Sequence, residues 1–481
     1  MKNKRTSIAI ITICAIAIAG GSAHAEKWSF GVMGDTQWYR DDPTGKNINS
    51  VAVNQIEACN QNFVKANVKF VVQVGDLCNN FSDDAFQTRL DANHALNAAK
   101  IPFYGLRGNH ERPEAAKTFF QNHYLPKNSP DGGVIVTVAP DKISYTVTYK
   151  NIKIVLLDIN TARRDDTVNW MSNQLSTNDR DHAFVFQHVN LLSQGRKENL
   201  FGPDNEANPT LQNQFLSILH NNRVRYNISG HDHMHHRSHI ISPDQKSTIT
   251  QLICASVSSR YHTPNAPYSD RETPIAQQLN MIGHYIFTID GPLVTIDHYA
   301  TPHQRNGDVF PNPTWTLVET FGYSTNGKQF LIPQKANFNA VKDTSPFPTA
   351  TRMALTGTNE STLTVGNPQK VQRPVTKAVN TGWAPRTADT ISDILTIWGM
   401  QDITPSQLTD GIAIPNTPTS LPFTLTMSYD ASKYTNPYIQ QQSRNGTWLP
   451  LKNSTSNPDN TISATVSPTD TAIFSIGGTA R

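Results

Sequence analysis

Cysteine is scarce in this chain: there are four in 481 residues, and one of them, Cys14, falls within the first 25. Cys59, Cys78 and Cys254 remain, so at most one bridge can form within the chain. Cys59 with Cys78 is the pair nearest in sequence, and three buried free thiols are the alternative. No Cys-x-x-Cys occurs, so neither a zinc knuckle nor a thioredoxin-like redox site is indicated. Charge is scarce too, at 16% of residues. Lys2, Lys4 and Arg5 account for the whole formal net charge of +3, and without them it is zero. A neutral chain exerts no general pull on nucleic acid or an acidic membrane, which disfavours a dedicated DNA-binding role but leaves room for a local basic cleft. Hydrophobic residues make up only 37%, the remainder being filled by Asn, Gln, Ser, Thr and 30 Pro. The 20 Phe, 14 Tyr and 7 Trp nevertheless argue for packed cores rather than disorder. Length suggests about three units.

The first 25 residues have the layout of a secretory signal. Lys2, Lys4 and Arg5 form a positive start, Ser7 to Gly20 is apolar, and Ala23-His24-Ala25 offers a small-x-small cleavage site. The apolar run is short for a transmembrane helix, and no second run of spanning length follows. Ile13 before Cys14 does not suit a lipoprotein anchor. Cleavage after Ala25 and export to a periplasm or the exterior are expected.

From Trp28 to about Tyr299, short apolar strands alternate with helical periodicity. Strands are expected at Trp28–Met33, Phe70–Val74, Pro102–Leu106, Ile143–Tyr149, Ile152–Asp158, Ala183–Phe186, Val224–Ile228, Ile249–Ala255, Tyr285–Ile289 and Val294–Tyr299. Helical spacing runs from Ile48 to Phe63, over Asp84–Lys100, after Pro113, and over Leu211–His220. This is an α/β layered architecture ending in antiparallel strands. Residues 302–345 read as an extension. Residues 346–481, rich in Thr, Ser, Asn and Pro, read as a β-sandwich-like module with strands at Ser361–Val365, Phe423–Tyr429 and Thr461–Val466 and one helix at Asp389–Met400. The expected division is a signal at 1–25, a catalytic domain at 26–301, the extension, and this module.

Five of the apolar strands end in polar clusters: Asp35, Asp76, Asn109-His110, His188, and His231 with His233. In open α/β sheets the ligand site lies beyond the carboxyl ends of the strands, so residues far apart in sequence should meet on one rim. Carboxylates, an amide and imidazoles together suit Mn, Fe, Zn, Co or Ni better than Ca or Mg.

Gly34-Asp35-Thr36-Gln37, Gly75-Asp76, Gly108-Asn109-His110-Glu111, His188 and Gly230-His231-Asp232-His233 resemble, in order and spacing, the motif blocks of the calcineurin-like metallophosphoesterase family. The resemblance covers about residues 28–300. It implies a two-sheet sandwich with flanking helices and two divalent transition-metal ions. Asp35 and His233 would hold the first ion, with Gln37 at a position where many members carry a ligating His. Asp76 would bridge the two ions. Asn109, His188 and His231 would hold the second. His110 would face the phosphoryl or leaving group, and Glu111 could orient it. A hydroxide bridging the two ions would attack phosphorus in line. Purple acid phosphatases of this superfamily place a Tyr three residues after the bridging Asp; Asn79 stands there here, so a purple ferric site is not expected.

Other histidines, namely His94, His123, His182, His220, His235, His236 and His239, are expected at the surface or behind the ligands. Among Arg40, Arg112, Arg260, Tyr261 and His262, the last is the candidate substrate contact. Insertions at Asn128–Asp141, Gln194–Asn208 and His262–Gln278 are expected to shape the pocket. The function expected is hydrolysis of phosphate mono- or diesters. The alternatives are a surface-binding or adhesion protein with a degenerate site, suggested by Gln37 and the Thr/Asn-rich tail, and an extracellular nuclease, which the neutral charge disfavours.

Overall fold

The computed structural model describes residues 27–481 apart from 40–46, 127–132, 197, 259–261, 263–268, 270, 279–280, 303–312, 325–334, 340–351, 358–368, 371–386, 393–394, 397–401, 404–422, 443–446 and 467–472. The proposed signal, Arg40, Arg260, Tyr261 and the strand expected at Ser361–Val365 lie outside the described residues.

Two mixed sheets face each other. In chain order the first contains β1 (Trp28–Met33), β2 (Val71–Gln73) and β3 (Phe103–Gly105). The second contains β4 (Val134–Val138), β5 (Tyr145–Tyr149), β6 (Ile152–Leu156), β7 (His182–Phe186), β8 (Tyr226–Ser229), β9 (His235–Ile241), β10 (Thr248–Ile253) and β11 (Glu272–Gln278). The chain then returns to the first sheet with β12 (Met281–Asp290), β13 (Leu293–Pro302) and β14 (Thr316–Ser324). The strand orders are β14-β13-β12-β1-β2-β3 and β11-β9-β10-β8-β7-β6-β5-β4. Parallel pairing is confined to β1-β2-β3 in one sheet and to β6-β7-β8-β10 in the other. Five of those parallel strands, β1, β2, β3, β7 and β8, lead into the polar clusters.

Alternation along the strands builds the layers. Phe30 and Val32 of β1, Phe70 just before β2 and Val72 within it, Ile154 and Leu156 of β6, Phe184 and Phe186 of β7, and Tyr226 and Ile228 of β8 share one core between the sheets. Phe30 stacks on Phe70 at 5.1 Å and meets Phe184 edge-on at 6.0 Å, joining the two sheets. The opposite faces take helices. Met33 and Val71 pack with Cys59 and Phe63 of α1 (Val53–Lys65) and Leu96. Val155 and Val185 pack with residues of α5 (Asp165–Ser176) and α6 (Pro209–Asn221).

The single helix expected over Asp84–Lys100 is two, α2 (Asp83–Asp91) and α3 (His94–Ala98), and the helix expected after Pro113 is α4 (Glu114–His123). Ser82 caps α2 by accepting from the Ala85 N–H at 3.0 Å. The break falls where the Asn93 side chain is taken by Arg89 at 2.8 Å and by Asn60 at 3.3 Å. Two of the expected insertions contain sheet strands: β4 lies within Asn128–Asp141 and β11 within His262–Gln278. β14 pairs antiparallel with β13. Cys59, Cys78 and Cys254 are all free and buried.

The C-terminal strands are antiparallel throughout. One sheet runs Lys335–Asn339, Arg352–Gly357, Phe423–Ser428, Thr461–Val466, Thr455–Ser456. A second runs Leu395–Thr396, Ile473–Ala480, Tyr434–Gln442, Trp448–Pro450. Leu425 and Met427, and Ile462 and Ala464, alternate into the buried face of the first. This is consistent with a β-sandwich-like module. The helix expected at Asp389–Met400 is corrected: Thr390 bridges Gly477, and Leu395–Thr396 pairs as a strand with Ile473–Phe474. Thr and Ser in this stretch satisfy their backbone in pairing rather than in a helix.

Candidate metal centre

The five polar clusters meet. Asp35 follows β1, Asp76 follows β2, and Asn109-His110-Glu111 form a short 3-10 turn after β3. His188 follows β7, and His231 and His233 follow β8. Asp76, His188 and His231 bring ligand atoms within 4.8 Å of one another, as do Asp35, Asp76 and His233. Asp76 belongs to both groups, and every member is buried.

Backbone geometry makes the convergence possible. Asp76, His231 and His233 have φ of 47°, 68° and 50°, in the left-handed region that non-glycine residues seldom occupy. Gly75, at φ 95°, turns the chain so closely that a Cβ would stand 2.6 Å from His188 Nδ1. At Gly108 a Cβ would stand 2.0 Å from Asp76 Oδ1, so that position admits no side chain.

His188 Nδ1 donates to the Val74 carbonyl at 2.8 Å, which turns Nε2 toward Asp76 Oδ1 at 3.2 Å and Asn109 Oδ1 at 3.0 Å. His231 Nδ1 also lies 2.8 Å from Asn109 Oδ1. His233 Nε2 lies 3.3 Å from Asp35 Oδ1. Burial alone would push Asp76 up, but His188, with His110 and His231 behind it, holds its carboxyl well below the usual range. Burial alone would likewise depress His188, yet Asp76 and then Asp35 raise it to about 9. His231 is lowered, first by burial, then by the charges of His188 and Arg196.

The donor set fits divalent metal ions. Two buried carboxylates, two amides and three imidazoles converge, a mixture of oxygen and nitrogen donors that suits such an ion. Gln37 Oε1 and His231 Nε2 are buried with no hydrogen-bond partner among the described residues. Gln37 is fully buried, and its amide nitrogen meets His110 Nε2 at 3.1 Å. His110 Nδ1 donates to the Asn79 carbonyl at 2.5 Å. The backbone of Asn79 therefore serves His110 from the position at which a ligating Tyr is absent.

The calcineurin-like phosphoesterase family model matches residues 29–235. This stretch is similar to a calcineurin-like phosphoesterase domain. No curated protein matches the chain. Among solved structures, the inner-membrane-complex anchor GAP50 of Plasmodium is 14% identical, with 62% of this chain and 89% of that chain covered and a TM-score of 0.42. A purple acid phosphatase from yellow lupin seeds is 12% identical over 62% of this chain and 54% of that one, with a TM-score of 0.45. A dimetal phosphatase from Danio rerio is 15% identical over 56% and 95%, with a TM-score of 0.37. At these values the likenesses carry no weight for activity.

Around the centre, one sequence expectation changes. Glu111 does not touch the His110 ring; its carboxylate accepts from the Gly108 N–H at 2.8 Å and the Cys78 N–H at 3.2 Å, tying the β2 and β3 loops together. Burial, followed by the Asp76 charge, pushes it up to about 8. Of the two placements expected for the other histidines, His182, His235, His236 and His239 take the buried one. His262 lies near the centre, its ring 5.0 Å from that of His233.

Three supporting residues escaped the sequence reading. Arg107 makes a buried two-point ion pair with Asp158, at 2.7 and 2.9 Å, and donates to the Glu111 carbonyl at 3.1 Å. It stands directly before Gly108 and fixes that turn from behind. Arg196 reaches His262 Nε2 at 3.1 Å. The only sequence signal for Arg107 or Arg196 was an Arg beside a motif block or within an insertion.

Proposed function

We propose that this chain is an exported phosphoesterase that hydrolyses phosphate mono- or diesters at a two-metal centre. The observation that carries this reading is the pair of buried ligand groups sharing Asp76. Asp35, Gln37, Asp76 and His233 would hold one ion, and Asp76, Asn109, His188 and His231 the other. Mn, Fe, Zn, Co and Ni all suit this mixture of oxygen and nitrogen donors. Two such ions supply an acidified water as nucleophile and positive charge against the phosphoryl oxygens.

The protein's own contribution is orientation and proton handling. The Val74 carbonyl fixes the His188 tautomer, so that Nε2 faces the centre. The Asn79 carbonyl does the same for His110, leaving Nε2 turned toward Asp76 Oδ2 at 3.8 Å. Protonated to the imidazolium, His110 would carry a proton on Nε2 as well and could donate it to the leaving oxygen. Gln37 adjoins both the ligand set and His110, so it supports both.

The test is metal analysis with hydrolysis of p-nitrophenyl phosphate and bis-p-nitrophenyl phosphate across Mn, Zn, Co and Ni. About two ions per chain with turnover supports the reading. Asp76→Asn should lose bound metal and lower kcat by about a thousandfold or more, since Asp76 belongs to both ligand groups. Turnover that survives Asp76→Asn would overturn it, and absence of both metal and turnover would leave the surface-binding alternative. Among the described residues no helix is long and apolar enough to cross a membrane. For export, mass spectrometry of the protein recovered outside the cytoplasm should find Glu26 as the first residue; retention of Met1 in the cell would refute this.

A further inference from the structure

The loop from Ser193 to Arg196 is fastened beside the centre by the residue between the two ligand histidines. Asp232 is fully buried, and its carboxylate accepts from the Gln194 N–H at 2.6 Å, the Gly195 N–H at 2.9 Å and the Ser193 hydroxyl at 3.2 Å. A second clasp holds the same loop from outside: Gln194 Nε2 donates to Glu272, which in turn meets His236 at 2.9 Å. The Arg196 N–H donates to Ser193 Oγ at 3.3 Å. Arg196 is therefore carried on a built loop, not on a solvated one.

Its guanidinium is only half satisfied. Nη2 donates to His262 Nε2, and that ring packs against His233. The Nε–H is buried and has no partner among the described residues. Arg196 forms no ion pair with a carboxylate among the described residues. A buried guanidinium donor left open beside a phosphoesterase centre is suited to a phosphate oxygen, which it meets in planar, charge-assisted geometry.

We propose that Arg196, positioned by Asp232 and steadied by His262, binds the non-bridging phosphoryl oxygens of the substrate and biases the centre toward phosphomonoester dianions over diester monoanions. The inference rests on the phosphoesterase reading above. A dianion gains more than a monoanion from an added positive charge, and a diester has one fewer free oxygen to offer the guanidinium.

Two readouts test it on the full chain loaded with Mn²⁺. In Arg196→Gln, the ratio of kcat/KM for p-nitrophenyl phosphate to that for bis-p-nitrophenyl phosphate should fall by about 10- to 100-fold, the range for a lost charge-assisted hydrogen bond. By calorimetry, the same variant should bind inorganic phosphate at least about tenfold more weakly. Arg196→Lys keeps the charge without the planar fork and should fall between. Asp232→Asn keeps Arg196 but loosens its loop, so it should move the ratio the same way by a smaller factor. An unchanged ratio with unchanged phosphate affinity in Arg196→Gln overturns the proposal, as does an equal loss on both esters. A wild-type protein inactive on both esters counts against the phosphoesterase reading, and the phosphate titration then still decides for or against Arg196.

Discussion

At the scale of single residues, the centre depends on places where an atom is missing as much as on its ligands. Gly108 is the clearest. Any Cβ there would lie inside Asp76 Oδ1, 2.0 Å away. Gly108→Ala should therefore push Asp76 out of both ligand groups. We expect a folded protein with bound metal reduced to one ion per chain or fewer, read by metal analysis beside circular dichroism; two retained ions would show that the turn can relax. The residues that meet at the centre were legible in the sequence because they sit just after apolar strands, and a strand end is a position that pattern alone can locate. Arg196 and Arg107 were not legible, since nothing local distinguishes a buried arginine from a solvated one. Glu111 was misread for a related reason. Adjacency to His110 suggested contact with it, but a 3-10 turn sends neighbouring side chains in different directions.

At the scale of elements, the β3 loop is held by an ion pair that no motif announces. Arg107 and Asp158 are each about 1% exposed and meet through two bonds. Removing one partner strands a buried charge. Asp158→Ala should cost roughly 3–5 kcal/mol, measured by denaturant unfolding; a loss under about 1 kcal/mol would mean that water reaches Arg107. Strand existence was readable from period-2 patterning wherever one face packs on a core. β9 was missed because its sequence, with His235-His236-Arg237-Ser238-His239 at its start, is polar although buried. Such strands are stabilised by side-chain partners from elsewhere, His235 on Tyr285 at 3.0 Å and His236 on Glu272 at 2.9 Å. A pattern of polarity cannot display partners that are distant in sequence. The helix α5 had readable spacing, with Val168, Met171 and Leu175 on one face, and was passed over amid its polar neighbours.

At the scale of the whole molecule, buried histidines make stability depend on acid. Burial, with the Arg237 charge adding to it, lowers His239 to about 3, and burial alone lowers His284 to about 3. Both are neutral when folded, while the unfolded chain takes up their protons below about pH 6.5. Stability should thus fall as pH drops from about 6.5 toward 3, by up to about 1.4 kcal/mol per pH unit for each of the two. Comparing the pH dependence of unfolding for the wild type and His239→Gln checks this, because the variant should lose one proton's share of the slope. An identical slope would place His239 in contact with solvent. A different consequence follows from where the ligands originate. Asp35, Asp76 and Asn109 belong to one sheet, and His188, His231 and His233 to the other. A cation held between them would be a cross-link, closing a loop that runs from Asp35 to His233. Such closure restricts the unfolded chain as a covalent staple would, and at a hundredfold excess over its dissociation constant a bound ion adds about 2.7 kcal/mol to the folded state. The metals that would perform the chemistry would also be the rivets that keep the two halves of the sandwich from parting.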